Sequence, residues 1–215
     1  MTQASLFDVS QDGERLILDD AELIYFRSFY DTATADQLFE SIHRDTPWRH
    51  EYIQVAGLQR LQPRLSAWYG DPEATYSYSG LSLQPLEWTP TLAQIKHDIS
   101  VRAQVHVHST FNSVLLNYYR DQHDSMGWHS DDEPELGPQP VIASLTLGCP
   151  RIFELKHKSR AKLRYQIPLE HGSVLIMAGE TQRHWLHAIA KEQQFCRPRL
   201  NLTFRQIFPS ISPID

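Results

Sequence analysis

From residue 111 onward the chain consists of short apolar runs, each bounded by glycine, proline or a polar cluster. The runs cover 111–119, 141–147, 151–157, 163–168, 173–177, 184–188 and 200–208, and their length and spacing predict strands. No helical period interrupts them, so the last hundred residues predict a sandwich or jelly roll. The first half reads differently. Residues 22–29 predict a short strand, and Leu38, Phe39 and Ile42 recur at helical spacing, predicting a helix over 36–44 with Thr34 as its cap. A polar, strand-like region follows over 48–66, with Gly57 as a hairpin turn. Tyr76-Ser-Tyr-Ser-Gly80 then sets two aromatic rings at i and i+2, and Thr89-Pro90 opens a second helix expected to run to about Val105. Residues 1–13 are polar and expected to be flexible. There is no internal repeat and no low-complexity tract.

With 215 residues, 41% hydrophobic and 21% charged, the composition is that of an ordinary globular chain able to bury a substantial interior. The expected organisation is one catalytic domain over 1–215, with an N-terminal extension at 14–110 and the jelly-roll core at 111–208. No apolar stretch approaches the roughly 20 residues that span a bilayer. The N-terminus lacks a basic segment followed by an apolar one, so a cytoplasmic or nuclear, monomeric protein is expected, with no membrane partner. Cys149 and Cys196 make no disulfide framework and no Cys-x-x-Cys pair; free thiols are expected. The net charge of -6 excludes a protein that coats nucleic acid indiscriminately, since that affinity comes from neutralising phosphates. Any such contact must be local. In Lys156-His-Lys-Ser-Arg-Ala-Lys-Leu-Arg164 every even position is basic, which in extended structure lines Lys156, Lys158, Arg160, Lys162 and Arg164 along one side. The competing reading is a solvated hairpin edge whose charges discourage strand pairing.

Metal chemistry enters at Gly127-Trp-His-Ser-Asp-Asp-Glu133. In an extended segment His129 and Asp131 project to one side and can bind one ion. With 11 histidines in the chain the spacing alone is weak, and a second copy, His43-Arg44-Asp45, reads as the end of a helix, where residues two apart diverge. The third donor is His184 or His187, which face opposite sides of a strand. His171-Gly172 reads as a turn. Two imidazoles and one carboxylate on one face leave coordination positions open, as in non-haem Fe(II) oxygenases. Such a site draws two electrons from outside, commonly from 2-oxoglutarate, whose distal carboxylate needs a cation. Arg199 and Arg205 share a strand face with Thr203, and arginine holds carboxylates in a two-pronged bond. Asn117 and Tyr119 share a face on another strand.

Together these residues resemble the AlkB family of Fe(II)- and 2-oxoglutarate-dependent nucleic-acid dealkylases, most closely the subgroup of the animal DNA-repair homologues. The resemblance rests on Tyr76-Ser-Tyr-Ser-Gly80, Asn117-x-Tyr119, His129-x-Asp131-Asp132-Glu133, Ile142-Ala-Ser-Leu-Thr-Leu-Gly148, Arg151-x-Phe153, His184-Trp-Leu-His187 and Arg199-x-Asn-x-Thr-x-Arg205, over 63–208. It implies an α+β, mainly β, double-stranded β-helix with N-terminal helices and a nucleotide-recognition hairpin region. It implies His187 as the third iron ligand, and Asn117, Tyr119, Arg199, Thr203 and Arg205 around 2-oxoglutarate, with O2 as the oxidant. Tyr78 and the His129 ring would sandwich a flipped-out base, with Tyr76 and Glu133 at its polar edge. Arg64 and the Lys156, Lys158, Arg160, Lys162 stretch would grip phosphate. The implied reaction is oxidative demethylation of 1-methyladenine or 3-methylcytosine in DNA or RNA, a direct repair of alkylation damage, with formaldehyde, succinate and CO2 as products. Where duplex-acting members carry a bulky apolar wedge, this chain has Ala56 in Gln54-Val-Ala-Gly-Leu-Gln59, which favours single-stranded substrates unless Val55 or Leu58 substitutes. The rival readings are an oxygenase of the same chemistry acting on a protein or small molecule, and a jelly-roll binding module without activity.

Overall fold

A computed structural model describes residues 13–55, 58–74, 76–78, 81–108 and 110–208; for 53–55, 76–78 and 81–83 only the backbone is considered. The order is β1 (Glu14–Leu18), β2 (Ala21–Phe26), α1 (Thr32–Asp45), β3 (Tyr52–Val55), β4 (Leu58–Leu61), β5 (Leu65–Gly70), β6 (Tyr76–Tyr78), β7 (Leu81–Leu83), α2 (Pro90–Ala103), β8 (Ser113–Tyr119), β9 (Met126–His129), β10 (Ile142–Gly148), β11 (Arg151–His157), β12 (Arg164–Leu169), β13 (Ser173–Ala178), α3 (Thr181–His184), β14 (Trp185–Ile189) and β15 (Arg199–Arg205). A seven-stranded sheet, β1-β2-β13-β10-β15-β8-β5, faces a four-stranded one, β12-β11-β14-β9. All pairings within them are antiparallel. This is the expected jelly roll, and the hairpins β3-β4 and β6-β7 are separate two-stranded units.

Both faces of the large sheet are buried, and the period of two assigns each residue to a face. On β15, Leu200, Leu202 and Phe204 join Ile24, Leu145, Leu116 and Ile176 in a core sealed by Ile42 of α1 and by Leu92, Ile95 and Ile99 of α2. Between the sheets, Leu23, Ile142, Leu175 and Met177 meet Phe153, Leu155, Ile167, Trp185 and Ile189. The alternate residues of β15, Arg199, Asn201, Thr203 and Arg205, are polar, and the first three are buried. Polar groups in a dry interior must find partners, and that requirement shapes the site.

Several boundaries differ from expectation. The first helix begins earlier and is capped by Asp31, whose Oδ1 accepts from the Thr34 N–H at 2.7 Å; Thr34 lies inside the helix. A carboxylate one turn before the apolar positions outcompetes the threonine for the same free N–H groups. Thr89 caps α2 as expected, accepting from Leu92 N–H at 3.2 Å, although the helix stops at Ala103. The last hundred residues do contain helix: one turn at Thr181–His184 and a 3-10 turn at Pro134–Leu136. The row of five cations does not form. β11 ends at His157 and β12 starts at Arg164, so Lys158, Arg160 and Lys162 lie in the connecting turn, while Lys156 and Arg164 are cross-strand partners. The Gly57 turn and residues 1–12 lie outside the described residues. No helix among the described residues is long and apolar enough to cross a membrane.

The capping assignment predicts that Asp31→Ala costs about 1 kcal/mol in urea unfolding, while Thr34→Ala changes stability by a few tenths at most; equal losses would refute it.

Candidate metal and co-substrate site

His129 ends β9 and His187 lies mid-β14, and the register sets them directly opposite one another. Their ring centroids are 4.2 Å apart. Asp131 follows two residues after β9, and His129 Nε2 lies 3.8 Å from its Oδ1. Ligand atoms of all three fall within 4.8 Å of one another. The His129 Nδ1 donates to the Gly127 carbonyl at 2.8 Å, which leaves the Nε2 lone pair facing the cluster. His184 points elsewhere: it ends α3 and packs against His157. The structure thus separates the two histidines that spacing left open.

Electrostatics favour cation binding. Burial pushes the Asp131 carboxyl up, but Arg205, His187 and His129 outweigh it and hold it down to about 2. Burial, reinforced by His129, lowers His187 to about 3, so its imidazole stays neutral with a free lone pair. Two supports position Asp131. Arg205 Nη2 donates to its Oδ2 at 2.8 Å, and its backbone N–H donates to Gln182 Oε1 at 3.0 Å. Gln182 is 1% exposed. A second group, Asp20, His157 and His184, has comparable spacing. There the Arg160 guanidinium already bonds Asp20, and His157 Nδ1 accepts from the Ser159 and Arg160 N–H groups, so a cation already fills the place.

The adjoining cavity lies between the sheets and is lined by Asn117, Tyr119, Arg199, Thr203 and Arg205 together with the three donors. Arg199 is 1% exposed; its Nη2 donates to Thr146 Oγ1 at 3.0 Å, whereas Nε and Nη1 have no partner. A buried guanidinium with two unsatisfied nitrogens fits a carboxylate. Burial lowers its pKa, a tension that an anion would relieve. The two arginines therefore divide the strand: Arg205 meets the metal-side carboxylate and Arg199 the far end, about 20 Å of backbone away. Thr203 Oγ1 donates to Asn201 Oδ1 at 3.0 Å, so its proton is already engaged.

Arg64, expected to grip phosphate, is directed inward. It is 5% exposed, and its Nε donates to Asn117 Oδ1 at 2.7 Å, which turns the Asn117 amide nitrogen away from Arg64. Lys158 donates to Asp132 Oδ2 at 3.0 Å and to the Gln182 carbonyl at 2.9 Å, tying the Asp131 loop to α3. Arg160 is paired with Asp19 and Asp20. Of the four residues expected to grip backbone in that stretch, Lys156, 4.3 Å from the Trp128 ring centre, and the exposed Lys162 retain an outward role. Glu133 is half-buried, and the Tyr76 and Tyr78 side chains lie outside the described residues, as does Ala56. In the second His-x-Asp, Arg44 pairs with Asp45 and His43 stacks on Phe39, leaving the helix end without a chelate.

Sequence reasoning missed Gln182 and assigned no role to Arg151. Arg151 is 2% exposed, bonds the backbone carbonyls of Asp124 and Ala190, and lies 5.8 Å from the Tyr119 ring centre, with Arg199 at 5.0 Å from the same ring. Tyr119 is held between two cations.

A jelly roll with an open His, Asp, His face beside an under-bonded arginine defines the class: a non-haem iron oxygenase that uses a keto-acid co-substrate. The match to the family model described as 2OG-Fe(II) oxygenase superfamily runs over residues 22–205. Alpha-ketoglutarate-dependent dioxygenase alkB homolog 3 of Mus musculus is 42% identical over 193 residues, covering 86% of this chain and 65% of the relative. DNA oxidative demethylase ALKBH2 of Homo sapiens is 39% identical over 186 residues, covering 81% of this chain and 69% of the relative. The structure of OsALKBH1 superposes with a TM-score of 0.65 at 18% identity, covering 89% of this chain and all of that one, a likeness of fold. The chain belongs to the 2OG-Fe(II) oxygenase superfamily and, within it, to the AlkB family. It spans just under two thirds of the length of the alkB homolog 3 relatives.

Two outcomes test the geometry. Gln182→Leu frees the Asp131 loop, and Mn(II) affinity measured by calorimetry should fall roughly 10- to 100-fold; unchanged affinity would count against the role. His187 holds its proton less tightly folded than unfolded, so from pH 6.5 toward 4.5 the unfolded chain gains a proton that the metal-free native state refuses. Stability should fall on acidification by about 1.4 kcal/mol per pH unit more than in His187→Phe, read by urea titration. Parallel slopes would show that the imidazole is not held neutral.

Proposed function

We propose that this protein removes methyl groups oxidatively from nucleic-acid bases, in the manner of its AlkB relatives. One observation carries the reading: a three-donor metal face and a buried, under-bonded Arg199 open into one cavity. When bound, Fe(II) and O2 would supply two coupled two-electron oxidations, one of 2-oxoglutarate to succinate and CO2 and one of the N-methyl group to a hemiaminal that releases formaldehyde. His129, Asp131 and His187 hold the metal. Arg199 receives the distal carboxylate, with Tyr119 and Asn117 as neighbours. Arg205 fixes Asp131 at the metal end, and the apolar wall of Phe153, Leu169, Met177 and Ile189 excludes water.

The substrate follows from the relatives, one of which is named a DNA oxidative demethylase. Placing 1-methyladenine or 3-methylcytosine at the metal requires the base to leave its stack, with His129 as one side of the slot and Tyr78, Tyr76 and Glu133 as the others. Single-stranded DNA or RNA is the favoured form. The sequence has the small Ala56 where a bulky wedge would offset the few kcal/mol lost on unstacking, so that role would fall to Val55 or to Leu58, which is 59% exposed, and three of the five expected backbone cations are engaged internally.

Mass spectrometry of methylated oligonucleotides incubated with Fe(II) and 2-oxoglutarate should show loss of the methyl group, faster on single strands than on duplex. Turnover of methylated peptides instead would support the protein-oxygenase alternative. Arg199→Ala should raise the 2-oxoglutarate requirement on the order of 100-fold, the loss of a charge-assisted bond of about 2–3 kcal/mol; an unchanged requirement would remove Arg199 from the co-substrate site.

A further inference from the structure

The two cysteines take no part in the site, yet the fold brings them together. Cys149 directly follows β10, and Cys196 lies in the 190–198 connection between β14 and β15. Their sulfurs are 2.7 Å apart. The backbone holds them there: the Cys149 N–H donates to the Pro198 carbonyl at 3.0 Å, and Gly148 is the register partner of Arg199. Gly148 has a φ of +90°, and a Cβ there would strike the Pro198 carbonyl, so the two segments approach closely because that position is glycine. The connection is otherwise fastened by polar contacts: Glu192 N–H to the Gln122 carbonyl, Cys196 N–H to Gln122 Oε1 at 3.5 Å, Arg151 to the Ala190 carbonyl, and the Arg151–Glu192 ion pair at 3.4 Å.

We propose that Cys149 and Cys196 form an oxidisable dithiol that closes to a disulfide under peroxide and locks the β14–β15 connection onto the end of β10. A disulfide needs the sulfurs at about 2.05 Å, so the closing movement is less than about 1 Å. Side-chain rotation can absorb it, and the strands on either side, Arg199 included, stay in register. The exposures assign the order of events. Cys149 is half-exposed and meets the oxidant, whereas Cys196 is 6% exposed. Burial and the neighbouring Cys149 also push the Cys196 thiol up to about 11, keeping it protonated while its partner reacts. In the first step the Cys149 sulfur attacks hydrogen peroxide, its S–H proton leaves, and the products are a sulfenic acid and one water. In the second, Cys196 attacks that sulfur, loses its proton and expels the hydroxyl as a second water, forming the S–S bond. Two thiols lose two electrons and two protons, and one peroxide takes them up.

The link constrains the unfolded chain by tying residues 149 and 196 together, so it stabilises more than it distorts. The test needs no iron. The full-length chain, freed of metal and treated with hydrogen peroxide, is alkylated under native conditions, digested and mapped. The expected result is a Cys149–Cys196 cross-linked peptide that dithiothreitol abolishes, with Tm raised by about 5 °C or more over the reduced protein. Cys149→Ser and Cys196→Ala, which have no bridge to form, should show no peroxide-dependent rise; either one that folds suffices. Affinity for 2-oxoglutarate with Mn(II), measured after peroxide removal, should stay within about twofold of the reduced form; this arm alone rests on the co-substrate reading. Sulfinic acid at Cys149 without a cross-link, a cross-link that appears only after denaturation, or a bridge that leaves Tm unchanged or lower would each overturn the proposal.

Discussion

The register between β9 and β14 is the constraint on which the rest depends. Side chains alternate faces along a strand, so a slip of one residue would set Leu186 or Ala188 where His187 now stands and aim the imidazole away from the cavity. The pairing reads His187 with His129 and Ile189 with Met126, so two steps on one strand answer three on the other. β9 therefore carries a bulge immediately before His129, a device that re-aims a side chain at the end of a strand. Without it the Trp128 ring and the His129 ring would exchange environments.

The polar face of β15 is the second half of the same problem. Four consecutive same-face residues are hydrophilic in a place that the fold keeps dry, and three of them satisfy one another or their neighbours: Arg205 through Asp131, Thr203 through Asn201, and Asn201 through Ser144. Arg199 bonds Thr146 through Nη2, while its Nε and Nη1 stay idle. A globular protein seldom leaves a buried cation so poorly matched, and the mismatch is economical only where a ligand completes it. Arg151 and Tyr119 then act as a frame, keeping the guanidinium aimed along the cavity.

Much of this was legible beforehand, for identifiable reasons. The strands after residue 111 could be read because glycine and proline punctuate them, and because burial on both faces makes β10 and β13 nearly continuous apolar runs. The donor pair His129 and Asp131 follows from a period of two. Spacing could not choose between His184 and His187, because that depends on where α3 stops. The row of cations failed because alternation holds only within a strand, and the chain turns after His157. Arg64, expected at phosphate from the match of Pro63-Arg64 to the family, supports Asn117 from within, through a bond that spans 53 positions and leaves no local signal. Nothing in the letters around Gln182 announces that its amide receives the Asp131 N–H; that bond spans 51 positions.

The helices α1 and α2 share their buried residues with the large sheet alone, and β9 is an edge strand of the smaller one. The molecule is thus mechanically lopsided. Its arginines stand on a thick, helix-backed wall, and His129 on a thin rim, where local opening costs least. A brief local opening of the metal site is therefore cheapest at that rim, while the wall that carries Arg199 and Arg205 keeps its shape.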